Sequence, residues 1–290
     1  MTASDFAPRH LVFATDLSAR CDRARDRAVM LARLWKARLT AVHVLDVLDV
    51  PNDQASRPSL TGASVRAERL LRADFTDVND IAVSFHIGSG RPGDFVLDIA
   101  TKEACDLIVT GIAGNEPMGQ SLLGSTVTTV ARAASIPVLI VKRPPTDLYR
   151  RVIVASDLSE ASMSALTLAL GLFSTKELTL FHAFDTPFHT WANNPKEYRE
   201  GWRREAVNRV RAFLAQANDD DDLAMKLVVT DGDPGPRIAD HVAGNDIDLV
   251  VAGKHGRSRV VQALLGSVVS AILDEVPCDV LIVPDKYRAI

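Results

Sequence analysis

The stretch HLVFATDLSARCDRARDRAVMLA, residues 10–32, is an apolar run that ends in Thr-Asp-Leu-Ser and passes into a helical pattern. It returns as RVIVASDLSEASMSALTLALGLF, residues 151–173, with Ser-Asp-Leu-Ser at the same point. Three more blocks recur in the same order. TAVHVLD from Thr40 returns as TLFHAFD from Thr179, and GRPGDFVLDIATKEACDLIVTG from Gly90 as GDPGPRIADHVAGNDIDLVVAG from Gly232. GIAGNEPMGQSLLGS from Gly111 returns as GKHGRSRVVQALLGS from Gly253, and these last two pairs share an offset of 142. Ordered repetition at a nearly constant spacing indicates a duplicated domain.

Consecutive prolines and charges in KRPPTDLYR, residues 142–150, interrupt the pattern as a linker does. The expected domains are 1–143 and 148–290, joined by 144–147. In the first half, β-branched runs predict strands near 10–15, 39–46, 81–86, 106–110 and 137–142. Helical periodicity fills 18–36, 64–79, 92–104 and 126–134 between them. The second half predicts strands near 151–155, 178–184, 224–229, 247–252 and 279–283. Strands this apolar, separated by helices, are buried on both faces of a parallel sheet. The expected fold class is α/β: two tandem Rossmann-like domains, each a five-stranded parallel sheet flanked by helices. Ligands of such sheets bind beyond the carboxyl ends of the strands, where every repeated motif falls.

The 290 residues are 47% hydrophobic, enough for two cores, and the net charge of -4 gives no electrostatic footprint for nucleic acid. Cys21, Cys105 and Cys278 are odd in number and far apart, which argues against a disulfide framework or a zinc knuckle. MTASDFAPRH at the start lacks an apolar h-region, so neither a signal peptide nor a membrane span is expected, and the expected compartment is a reducing cytoplasm.

The glycine loop carries the chemistry. It is neither a Walker A sequence nor the dinucleotide fingerprint. Gly111 and Gly253 end the fourth strands, where a missing Cβ lets a ligand approach, and Gly114 and Gly256 permit a positive φ. Gly124-Ser125 and Gly266-Ser267 open the last helix, with Ser as the expected N-cap and free N–H groups at the positive end of the dipole. That is an anion site suited to a polyphosphate, whereas the plainer reading is a pair of tight turns. Asp16 and Asp157 can accept from ribose hydroxyls or an exocyclic amine, or they cap the following helix, a task open also to Ser18 and Ser159. His43 and His182 read as core-edge histidines with a hydrogen-bonded ring, and no spacing suggests a metal site.

Gly-x2-Gly-x9-Gly-Ser after a fourth strand, Asp-Leu-Ser after the first and His-Val or His-Ala in the second, present twice, resemble the universal stress protein family in its tandem form. The resemblance covers nearly the whole chain and implies the ATP-binding branch, with two domains about a pseudo-twofold axis. By that resemblance Asp16 and Asp157 face adenosine, and Val44 and Ala183 contact adenine through their backbone. Gly111, Gly114, Gly124, Ser125, Gly253, Gly256, Gly266 and Ser267 form the phosphate loops, where Thr126 and Val268 add backbone N–H groups. The implied ligand is ATP, alone or with Mg2+, or else ADP or AMP, acting as a regulatory signal in stress. Monomers and homodimers of tandem chains are both compatible with it, as is a protein partner of unknown kind.

The halves differ. The first loop carries Glu116, a negative charge beside phosphates, and Pro117, which lacks a donor; the second carries Lys254, His255, Arg257 and Arg259, which either offset phosphate charge or are solvated surface. A tighter triphosphate site is therefore expected in the second half. Pro137 before the last strand is matched by Asp279. No catalytic base converges beside the loops, so at most slow hydrolysis is expected. The rivals are a related nucleotide hydrolase, for which TDLSAR and SDLSEA lack a Ser-Gly-Gly loop, and an interaction module with a vestigial site. HIGS at 86–89, the acidic run Asp219–Asp222 and the aromatic stretch from Pro187 read as coincidence, a solvated helix end and helix packing.

Overall fold

The computed structural model describes residues 6–45, 60–112, 124–187, 194–217, 225–256, 265–285 and 287. The chain divides into two compact units, one of Pro8–Leu148 and one that begins at Tyr149 and takes in Phe6 and Ala7. Phe6 fills the space beside Gly171, where a Cβ would lie 2.1 Å from the Phe6 ring.

The first unit runs β1 (His10–Thr15), α1 (Asp22–Trp35), β2 (Arg38–Leu45), α2 (Leu60–Ala73), β3 (Val83–Ser89), α3 (Pro92–Lys102), β4 (Leu107–Gly111), α4 (Ser125–Ala133) and β5 (Val138–Val141). Its strands lie in the order β3-β2-β1-β4-β5, and every pair is parallel. The second unit repeats this with β6 (Val152–Ala155), α5 (Glu160–Leu172), β7 (Leu178–Phe184), α6 (Pro195–Ala217), β8 (Lys226–Asp231), α7 (Pro234–Asn245), β9 (Leu249–Gly253), α8 (Ser267–Glu275) and β10 (Asp279–Val283). The order there is β8-β7-β6-β9-β10, again parallel throughout. In each unit the chain steps outward from β1 or β6, then crosses back to the other side of it. With right-handed crossovers this reversal sends successive helix pairs to opposite faces, and α3 packs on α4 as α7 packs on α8.

Local sequence sets the boundaries. Pro92 and Pro234 open α3 and α7 at positions that need no N–H donor. Left-handed Lys36 and Asp246 end α1 and α7, while Gly90 and Gly232 take φ of +111° and +122° between strand and helix. Residues of β4, β5, β6, β9 and β10 are all buried, which is why these strands are apolar without alternation.

Several element bounds differ from those expected, among them those of α2 and β3. The second helix stops at Ala73, short of 79, because the chain turns to set Phe75 against Phe13 and Phe85 at ring separations of 6.3 and 5.7 Å. The third strand extends through Gly88 and Ser89, paired with Val44 and Leu45. Asp279, the counterpart of Pro137, is buried at the start of β10 and accepts from the Tyr149 hydroxyl at 2.7 Å.

Candidate functional site

The site of the second unit lies where the strand order reverses. Parallel pairing of β6 with β9 aligns Ala155 with Ala252, so Asp157 emerges beside Gly253. Asp157 Oδ1 accepts from the Ser159 N–H at 3.0 Å and the Ser162 hydroxyl at 3.2 Å, and Leu158 between them takes φ of +63°. Ser159 caps α5 by accepting from the Ser162 N–H, and the Ser162 hydroxyl receives the Ser159 N–H at 2.9 Å. Of the two candidates for the cap, Ser159 caps the helix, and Asp157 braces the turn before it.

The glycines act by a different physics from that expected. A Cβ on Gly253 would lie 2.6 Å from the backbone of Ala161, so the bare glycine gives α5 room to pack against the end of β9. Gly256 has no positive φ, and a Cβ there would lie 2.8 Å from Asp157 Oδ2. The Gly266 N–H donates to the Lys254 carbonyl at 3.3 Å and closes the base of the loop. Gly266, not Ser267, is the N-cap of α8, with φ −58° and ψ 146°, and it offers no side-chain acceptor. The first-turn N–H groups of α8 thus receive nothing from their own cap.

Asp157, Ala183, Gly253, Gly256, Gly266, Ser267 and Val268 all line one cavity of about 630 Å3. Phe181, Ile238 and Val269 give it apolar walls, and Asp185 and His255 are further polar members. His255 Nδ1 donates to Asp285 Oδ2 at 2.8 Å, and the His255 N–H donates to Asp285 Oδ1 at 3.3 Å. Lys254, read as either a phosphate partner or surface, is instead buried and is not among the lining residues. Burial pushes its ammonium pKa down, against the pull of Asp285.

The first unit repeats the frame. Asp16 Oδ1 accepts from the Ser18 N–H at 2.8 Å and the Cys21 thiol at 3.1 Å, with Leu17 at φ +61°. Burial alone would raise the Asp16 carboxyl, but the hydrogen bonds from Ser18 and Cys21 outweigh it and hold the group below its ordinary range. Gly111 ends β4, and the Gly124 N–H donates to the Ile112 carbonyl at 3.2 Å. Gly124, with φ −56° and ψ 149°, is again the N-cap in place of Ser125, and Thr126 lies in the first turn of α4. Val44 is buried on β2 beside Gly88. Gly114, Glu116, Pro117, Arg257, Arg259 and the acidic run Asp219–Asp222 lie outside the described residues.

The model of the universal stress protein family matches residues 8–142 and again 148–284. The chain belongs to this family. A universal stress protein of Mycolicibacterium smegmatis is 25% identical over 94% of this chain and 96% of its own length. Universal stress protein Sll1388 of a Synechocystis species is 30% identical over 47% of this chain and 97% of its own, one domain against one half. Among solved structures, PA1789 of Pseudomonas aeruginosa PAO1, a protein of unknown function, superposes with a TM-score of 0.68 at 18% identity, over 98% of this chain and 95% of that one. That likeness concerns the fold.

Several groups of this universal stress protein escaped the sequence reading. Asp285, 30 residues from its partner His255, carries no signal in the chain. Asp185 had a signal, since it closes the second repeated block. His43 and His182 are as expected, their Nδ1 atoms donating to the carbonyls of Thr15 at 3.0 Å and Ser156 at 2.8 Å. Ligand-type atoms of His10, Glu103 and Cys105 do converge, within 4.8 Å of one another, at the opposite end of the first sheet. There His10 Nδ1 donates to the Glu103 carbonyl at 3.0 Å, and the Thr40 hydroxyl lies 2.7 Å from both His10 Nε2 and Glu103 Oε2. Burial drives the Cys105 thiol up to about 12 and the Cys21 thiol to about 11, so neither is a ready nucleophile. Among the described residues, no helix is long and apolar enough to cross a membrane.

Proposed function

We propose that the second half of this universal stress protein binds an adenine nucleotide as a regulatory ligand of a stress response. Its phosphates lie along Gly253, Gly256, Gly266 and Ser267, and its adenosine lies toward Asp157 and Ala183. The observation that carries this reading is the single cavity lined by all six of those residues and by Val268. Its 630 Å3 lies within the range of small-molecule sites, and its mix of apolar wall and few polar groups is of the usual kind. The open first turn of α8 supplies N–H donors and a positive dipole end for phosphate, and Asp157 Oδ2 and Asp185 supply acceptors for hydroxyls or an amine.

The first half shares the frame but carries Glu116 and Pro117 in its loop, so its hold on a triphosphate is weaker. ATP, with or without Mg2+, is the favoured ligand over ADP and AMP. Mass spectrometry of small molecules released from the purified, denatured protein tests the reading, together with thermal unfolding in added nucleotide. Release of an adenine nucleotide, and stabilisation of about 2.7 kcal/mol at a hundredfold excess over Kd, are expected. A ligand-free protein that ATP does not stabilise contradicts it and favours an interaction module.

A further inference from the structure

His255 and Asp285 form a pair that the glycine frame does not require. In the first half the corresponding positions, at the same offset of 142, are Ala113 and Arg143, with Ile112 in place of Lys254. The frame there closes by the same backbone hydrogen bond without them. The pair is also held from behind, since the Ser164 hydroxyl donates to the Asp285 carbonyl at 2.8 Å.

Because a carboxylate only accepts, the proton of a neutral His255 ring sits on Nδ1, facing Asp285, and Nε2 carries the lone pair. That Nε2 is buried and has no hydrogen-bond partner among the described residues. Protonation would make it a donor. Buried Lys254 precedes His255 in the chain, the carboxylates of Asp157 and Asp185 line the same cavity, and the first turn of α8 opens onto it. His255 lines the cavity with Gly256, Gly266 and Ser267, at the end where an anion would meet the open first turn of α8.

We infer that His255, held by Asp285, takes up a proton as the second-half site binds the phosphate end of its ligand, which makes phosphate recognition there pH-dependent. This rests on the reading of the cavity as a nucleotide site. The proton comes from solvent and resides on Nε2, no covalent bond is made, and the imidazolium N–H donates to a phosphate oxygen. His255 is a positioning and specificity group for the anionic end of the ligand.

Calorimetric titration with ATP, in buffers of different ionisation enthalpy between about pH 6 and pH 8, tests it on the full chain. Wild type is expected to take up more protons than His255→Gln. The affinity ratio between them should grow as pH falls, towards tenfold per pH unit where one whole proton is taken up. The titration of ATP itself is common to both proteins and cancels. Asp285→Asn, which keeps the ring, should lose the same proton uptake, and adenosine, which has no phosphate, should show none. Equal proton uptake by wild type and His255→Gln, or equal uptake with adenosine and ATP, overturns the inference and leaves the nucleotide site standing. Failure of wild type to bind ATP at any pH overturns both.

Discussion

Gly253 and Gly266 look alike in the repeated motif, yet their surroundings assign them opposite tasks. A methyl group on Gly253 would meet the Ala161 backbone at 2.6 Å, whereas on Gly266 it would find its nearest neighbours at 3.6 Å, an ordinary contact. Gly253→Ala is therefore expected to lower stability by about 1–3 kcal/mol, as overpacking does, and Gly266→Ala by less than about 0.5 kcal/mol. Urea unfolding distinguishes the two, and equal losses would contradict the assignment. Ser159→Ala should cost about 1 kcal/mol by removing the capping box of α5, read in the same experiment. The spacing of these residues was legible because it occurs twice. Their reasons were not, because the Ala161 backbone and the Asp157 carboxylate reach the glycines across the fold rather than along the chain.

At the scale of elements, the starts of the central strands show what the fold demands and what is local. Asp106 accepts from the backbone N–H groups of Arg9 and His10, and Asp248 does the same for Arg150 and Arg151, so this clasp belongs to the shared architecture. His10 is particular to the first unit, as its counterpart is Arg151. Burial, against the pull of the Glu103 carbonyl, lowers the pKa of His10, and burial lowers that of His241 on α7. Each therefore binds a proton more readily when the chain is unfolded. The stabilisation present above about pH 6.5 is expected to fall away as pH drops through that value toward the lowered folded ones. Urea midpoints across about pH 5.5 to 7.5 should decline on the acid side, His241→Gln should flatten part of the slope, and a pH-independent midpoint would contradict the origin given. Strand and helix order followed from periodicity, but the end of α2 did not. Phe75 leaves the helix to join Phe13 and Phe85, a tertiary gain that outweighs continued helical periodicity.

For the whole molecule, duplication is what made the fold readable: one half supplied the control for the other. The same comparison separates frame from function. Both units carry the braced Asp, the glycine N-cap and the closing N–H to carbonyl bond, while the His255–Asp285 pair occurs in the second alone. The frame is made twice, and the His255–Asp285 pair is added to it once. Asp285 escaped sequence reasoning because it approaches from the end of the last strand.

The most direct measurement is isothermal titration of ATP into wild type, Gly266→Ala and Gly124→Ala, since both glycines are N-caps of nearly identical backbone conformation in which alanine is allowed. Gly266→Ala is expected to remove the tighter binding and Gly124→Ala to leave it in place. Equal losses from the two substitutions, or no loss from Gly266→Ala, would contradict it.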